Sequence, residues 1–121
     1  MMNICLDGIR VLHLGDLGHI PTPEMVSQAG PCDILLVPVG GFFTVDAEQA
    51  KEICALFSPG IVIPMHFRTG FNASWPIADE KPFMDLMDAS PAEREPVPIL
   101  RVTQGDLSQQ PRLCLMKPVF E

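Results

Sequence analysis

The sequence predicts an α/β protein built on a mixed sheet, and three patterns carry that prediction. Two short apolar runs, 3–6 and 9–14, flank Asp7-Gly8; a type I′ turn needs positive φ at both central residues, so Asp-Gly marks an antiparallel hairpin. Two continuous apolar runs, Asp33 to Val39 and Ile61 to Met65, read as strands covered on both faces, which is the habit of parallel strands. Between them, Ala47, Ala50, Ile53, Cys54 and Phe57 recur at helical spacing and define one apolar helix face that packs on a sheet.

The elements follow in order. The second run of the hairpin ends at Gly15-Asp16, which places Asp16 just past a strand's C-terminal end. Thr22-Pro23-Glu24 reads as a helix start, with Thr as N-cap, Pro at the first helical position and an acid in the first turn. That helix is short and ends near Gly30-Pro31. The 33–39 strand breaks at Gly40-Gly41. Thr44 reads as the N-cap of a helix from Val45 to Phe57, with Asp46 and Glu48 favourable to the helix dipole, and Ser58-Pro59-Gly60 ends it. His66 sits at the exit of the 61–65 strand. Residues 68–77 read as a loop holding Trp75, the single Trp of the chain, and 82–87 as a short helix. Two further strands, 98–103 and 112–118, are expected across a polar turn at 104–110.

Length and composition bound the function. The 121 residues suit one domain over 1–121. Thirteen prolines require short, sharply punctuated elements. The formal charge of −7 argues against nucleic acid or anionic membrane as partner, because both need a basic face that displaces counterions. The acids Asp79, Glu80, Asp85, Asp88, Glu93 and Glu95 read as a solvated surface. No signal peptide is visible at residues 1–7, and no apolar run approaches the ~20 residues of a membrane span. Cys5, Cys32, Cys54 and Cys114 are widely spaced in apolar surroundings. They read as reduced core thiols of a cytoplasmic protein rather than as disulfides or metal ligands.

The chemistry-bearing residues collect at strand ends. His13, Asp16 and His19 fall at i, i+3 and i+6, and His66 lies fifty residues beyond Asp16. In layered α/β folds the loops carrying Asp16, Gly40-Gly41 and His66 converge on one edge, where sites are built. Spacing alone is a weak metal signal: a His at a strand end usually serves structure, and an Asp after Gly usually caps a turn. Gly40-Gly41 lacks the Lys and the spacing of a phosphate loop, so it reads as a turn feeding the next helix. That helix start, and Arg68 just after His66, are the places an anionic substrate group would find.

Three motifs in order, His13-Leu14-Gly15-Asp16-Leu17-Gly18-His19, the run Asp33 to Gly41, and Ile63-Pro64-Met65-His66, resemble the metallo-β-lactamase superfamily. Within it they are similar to the branch of predicted Zn-dependent hydrolases that includes the L-ascorbate-6-phosphate lactonases. The resemblance covers residues 1–83 and corresponds to the C-terminal half of the fold, half of an αββα sandwich with helices on one face of a mixed sheet. It implies that Asp16 bridges two metal ions and that His66 completes the shell of one, so that both would be metal-binding and catalytic residues. Zn is the expected metal, with Mn as the alternative. Carboxylate oxygens can hold two cations about 3.5–4 Å apart, and neutral imidazole suits Zn²⁺ as a terminal ligand. His19, Gly40, Gly41 and Arg68 are candidates to line the site, and His13 to support it.

The sequence also departs from the family. Its His-x-His-x-Asp-His motif has no counterpart here. A catalytic Zn²⁺ takes about three protein ligands plus water, so the ligand set is incomplete and the chain, a truncated domain on this reading, is expected to be inactive by itself. Half a sandwich also leaves an apolar sheet face bare, with the 33–39 and 61–65 runs partly exposed. A homodimer or a complementing N-terminal-half chain would cover it. Two functions follow: part of a metal-dependent hydrolase acting on a small molecule of unread identity, or a non-catalytic binding module that associates through its exposed sheet.

Overall fold

The computed structural model describes residues 1–107 and 111–118. The chain opens on a hairpin of β1 (Met2–Leu6) and β2 (Ile9–His13). Both turn residues take positive φ, Asp7 at 51° and Gly8 at 78°, as the Asp-Gly signal requires. Helix α1 (Pro23–Ala29) leads to β3 (Ile34–Pro38), α2 (Ala47–Phe57) to β4 (Ile61–Met65), and α3 (Lys81–Leu86) towards the two-residue β5 (Arg112–Leu113). The strands lie in the order β1-β2-β3-β4-β5, the first pair antiparallel and the rest parallel. The sheet is therefore mixed.

Register fixes what each face carries. Leu12 pairs with Leu35, Leu35 with Val62, and Val62 with Leu113. This row packs in one cluster with Ala47, Ala50, Ile53, Cys54 and Phe57 of α2 and with Phe83 and Met84 of α3. The neighbouring row, Val11–Ile34–Ile61, points to the other side, because side chains alternate along a strand. There Ile34 and Ile61 pack with Cys114, Val97, Leu100, Val102 and Leu107. Helices cover one face and the C-terminal coil covers much of the second.

Several sequence expectations need correction. Helix α2 begins at Ala47, not Val45, and its N-cap is Asp46, not Thr44. Tertiary structure overrides the local signal: Val45 is fully buried and its N–H donates to the Leu17 carbonyl (2.9 Å). Asp46 accepts from Gln49 N–H (2.9 Å) while the Gln49 side chain accepts from Asp46 N–H (3.0 Å), a reciprocal cap. Asp46→Ala is expected to cost about 1 kcal/mol in a denaturant melt.

Residues 98–103 are not a strand. Pro98 has no N–H to give a ladder, Ile99 is exposed, and Thr103 caps a single 3₁₀ turn at 104–106 through Asp106. Among the described residues the only pairing there is a parallel bridge, Val97 with Met116. Of the 112–118 strand only Arg112–Leu113 forms, and the expected turn at 104–110 lies partly outside the described residues. The 33–39 and 61–65 runs are also less bare than half a sandwich implies, since the coil folds back over Ile34 and Ile61. Exposure falls instead on β1, where Met2, Ile4 and Leu6 face solvent along an edge strand. Cys5 shares that exposure and is no core thiol, whereas Cys32, Cys54 and Cys114 are buried. All four are free. Burial pushes the Cys32 thiol up to about 11 and the Cys54 thiol up to about 12, so neither is a ready thiolate ligand.

One ion pair ties the hairpin to β3. Asp33 accepts from Arg10 backbone N–H (2.8 Å) and from its guanidinium (3.2 and 3.1 Å). The guanidinium hydrogen bond holds the Asp33 carboxyl below the usual range, against the opposing effect of partial burial. A depressed folded pKa means stability that is present above the unfolded value, about 3.9, and lost as pH falls through the folded one. Asp33→Asn is expected to remove that part of the acid dependence, leaving a flatter stability profile below about pH 4. An unchanged profile would show that the pair contributes nothing.

Candidate metal centre

Strands β2, β3 and β4 run in the same direction, so their C-terminal ends share one edge. Asp16 lies three residues beyond β2, Gly40 two beyond β3 and His66 one beyond β4. The ladders continue past the strand ends, Leu14 N–H donating to Leu36 (3.1 Å) and Val39 N–H to Met65 (3.0 Å), which brings the three loops together. His66 Nε2 stands 2.8 Å from Asp16 Oδ1. Both side chains are open to solvent, His66 at 42% and Asp16 at 80%. A lone pair this exposed adds little to stability, so the fold does not need it.

The backbone around the pair is specialised. His66 takes a left-handed conformation at φ 52°, uncommon for a residue with a side chain though His is among the types enriched there. It ends β4 in one step and turns the ring to the edge. Gly40 packs against it so closely that a Cβ there would overlap the His66 carbonyl oxygen and press on Ile77. Gly41, at φ 72°, makes the turn that lets its N–H reach the Val45 carbonyl (3.1 Å). The Gly-Gly pair is therefore a structural seat for His66 and a turn into α2. The Val45–Leu17 hydrogen bond then holds that turn against the loop of Asp16.

The other sequence candidates stand apart. His13 Nδ1 accepts from Gly15 N–H (3.0 Å), which orders the turn before Asp16. His19 is exposed and its Nδ1 lies 3.1 Å from the Ile20 carbonyl. Arg68 is exposed, and its backbone N–H donates to Ala78 (2.8 Å). Among the described residues no group of three or more His, Cys, Asp or Glu is placed to hold a metal. The donor set at the edge is one carboxylate and one imidazole: the right chemistry for a divalent metal, and fewer ligands than a closed site takes.

The sequence reading placed Trp75 in a loop but did not join it to Phe42 and Phe43. Phe42 and Phe43 follow Gly41, and Phe43 meets Trp75 from the 68–77 loop, with ring centroids 6.4 Å apart. All three rings are exposed. Two adjacent Phe residues in a loop between a buried strand and a helix were the available signal. A larger cavity of about 530 Å³ touches Gly40, Asp46 and Asp85 but neither Asp16 nor His66. The described residues include no helix long and apolar enough to cross a membrane.

Comparison with known proteins bears on the family and the fold. The family model for the beta-lactamase superfamily domain matches residues 1–66, a span that ends on His66. The UPF0173 metal-dependent hydrolase of Carboxydothermus hydrogenoformans is 37% identical over 84 residues, covering 68% of this chain and 35% of the relative. Its counterpart from Thermococcus onnurineus is 35% identical over 85 residues, covering 68% and 36%. A Thermotoga maritima protein assigned to the Zn-dependent hydrolases of the metallo-beta-lactamase superfamily superposes with a TM-score of 0.83 at 35% identity, over 94% of this chain and 57% of that one. The chain spans about a third of the length of the curated relatives it matches.

Proposed function

The chain belongs to the metallo-β-lactamase superfamily, and from that premise we propose that it supplies Asp16 and His66 to a metal-dependent hydrolase site whose remaining ligands come from outside the described residues. The observation that carries the proposal is the 2.8 Å approach of Asp16 Oδ1 to His66 Nε2, two groups fifty residues apart, set at one sheet edge by a strained His66 backbone and a tightly packed Gly40. Structure alone has little use for so exposed a pair. Asp16 and His66 would hold a divalent metal, with Zn²⁺ the first choice and Mn²⁺ the second, whose chemistry when bound would be to make hydroxide available at neutral pH and to polarise the scissile bond. In this chain Asp16 presents oxygen and His66 nitrogen, while Gly40 and the left-handed turn fix the ring.

The shortfall in ligands points to association. A segment of the kind present in the longer relatives, on a second chain, would add donors and cover β1; a homodimer would cover β1 without adding new types of donor. The unpaired buried thiols favour a reducing compartment such as the cytoplasm. The lack of a third donor among the described residues also favours a second reading, a binding module without chemistry that associates through the same sheet.

One experiment separates the two. Zinc content and hydrolysis of an ester, a lactone and a phosphodiester are measured for the chain alone and mixed with the part of the Carboxydothermus relative that it does not match. The hydrolase reading predicts weak zinc retention alone, with tight retention and turnover in the mixture. A mixture that associates yet neither retains zinc nor turns over any of the three leaves the binding module.

A further inference from the structure

We infer that Phe43 and Trp75 form a subsite for a planar, uncharged ring on the molecule that enters beside Asp16 and His66. The inference deepens the hydrolase reading and rests on it for what happens to the ligand, though not for whether the ring binds. One hydrogen bond sets the geometry: Ala78 N–H donates to the Gly40 carbonyl at 2.9 Å. Phe43 lies three residues after Gly40 and Trp75 three residues before Ala78, so both arms spring from one clamp. Gly40 in turn packs on the His66 carbonyl, which ties the clamp to the candidate metal centre. Ile77, buried beneath Trp75's loop, anchors the second arm.

The two arms line an open cavity of about 360 Å³, together with Ser74 and Pro76. That is the size of a small ligand group. Its walls are two aromatic rings inclined at 75° and a proline, with no charged group among the lining residues. A ligand ring laid against the exposed side of this edge-to-face pair gains from dispersion and from the quadrupoles of the rings. The lining holds no cationic side chain, only the neutral Ser74 hydroxyl and Trp75 indole N–H as side-chain donors, so charge belongs at the metal end of the ligand and the ring at this end.

Two further observations show that these rings do not serve the core. Phe43 is 61% and Trp75 53% exposed, and neither belongs to the buried clusters. Phe42, which stacks edge-on against Phe43 at 4.7 Å, holds a left-handed backbone at φ 63°, a conformation that bulky residues resist. Strain kept at an exposed loop position beside a candidate site is the kind retained where position matters more than stability.

The single Trp of the chain provides the readout. Trp75 emission is titrated with benzyl alcohol and with cyclohexylmethanol, which is similar in size and polarity but not planar. The expected result is a saturable change with benzyl alcohol and an affinity several-fold weaker for the cyclohexyl compound. Phe43→Leu keeps apolar bulk, loses the ring, and is expected to weaken benzyl alcohol by about tenfold. Linear responses, equal affinities for the two alcohols, or an unchanged titration in Phe43→Leu would overturn the inference. So would sedimentation showing that Phe43→Leu dissolves a dimer while no ring binds, since the patch would then be a protein interface. Zinc retention measured after mixing the same samples with the unmatched part of the Carboxydothermus relative keeps the readings apart: ring binding without zinc in the mixture leaves the subsite standing and the metal reading fallen, and zinc without ring binding does the reverse.

Discussion

Replacing Gly40 with alanine is expected to destabilise the protein by about 1–3 kcal/mol, the range for forcing bulk into a packed site, and to displace His66. The added methyl meets the backbone carbonyl of His66 and the Cβ of Ile77, neither of which is the free end of a flexible side chain. Relief must come from moving the start of the 66–78 loop, so the distance from His66 Nε2 to Asp16 grows. Gly18 gives the control, because a Cβ there meets nothing within 4 Å and the residue has no positive φ. Gly18→Ala should melt like the parent protein, while Gly40→Ala melts earlier and binds zinc more weakly. Equal melting of the two variants would mean that Gly40 is a turn residue and nothing more.

The second large effect is on zinc. Loss of an outer-shell partner commonly costs 10–100-fold in metal affinity, and loss of a direct ligand is expected to cost about 100-fold or more. Asp16→Ala and His66→Asn should each do so; asparagine is the better replacement because it tolerates the left-handed backbone of His66. His19→Ala should leave zinc affinity unchanged, since His19 lies beside Ile20, and His13→Ala should lower it less than loss of either ligand, since His13 only orders the turn before Asp16. Chelator competition reads all four. A zinc affinity that falls with His19→Ala and survives Asp16→Ala would move the site along the same loop and away from β4.

Much of this fold is legible in the sequence because its signals are local. Asp7-Gly8 can hardly be anything but a tight turn, Thr22-Pro23 starts a helix, and the run from Ile61 to Met65 is bounded by Gly60 and by His66. What the sequence hides is decided at a distance. Val45 reads as a helix residue until its N–H is seen to belong to Leu17. The 98–103 run alternates like a strand but contributes only Val97, just outside it, to a parallel bridge. Cys5 looks buried by its neighbours and is exposed because β1 is an edge. Asp16 and His66 could be named as a pair from their motifs, and Gly40 as a turn. Gly40's role as the seat of His66, and the meeting of Phe43 with Trp75, arise only when the 40–45 and 66–78 loops fold against each other. Neither loop contains the other's half of that contact.

The central claim is that Asp16 and His66 are metal ligands, and the most direct test follows the histidine rings themselves. With three histidines in the chain, ring-labelled protein gives three sets of resonances to follow by NMR as zinc is added, and weak binding is no obstacle. The account predicts that His66 responds first and that its shift is centred on Nε2, with His13 and His19 following only at higher zinc. It further predicts that Asp16→Ala abolishes the His66 response. A first response from His13 or His19, or a His66 response that survives Asp16→Ala, would contradict it.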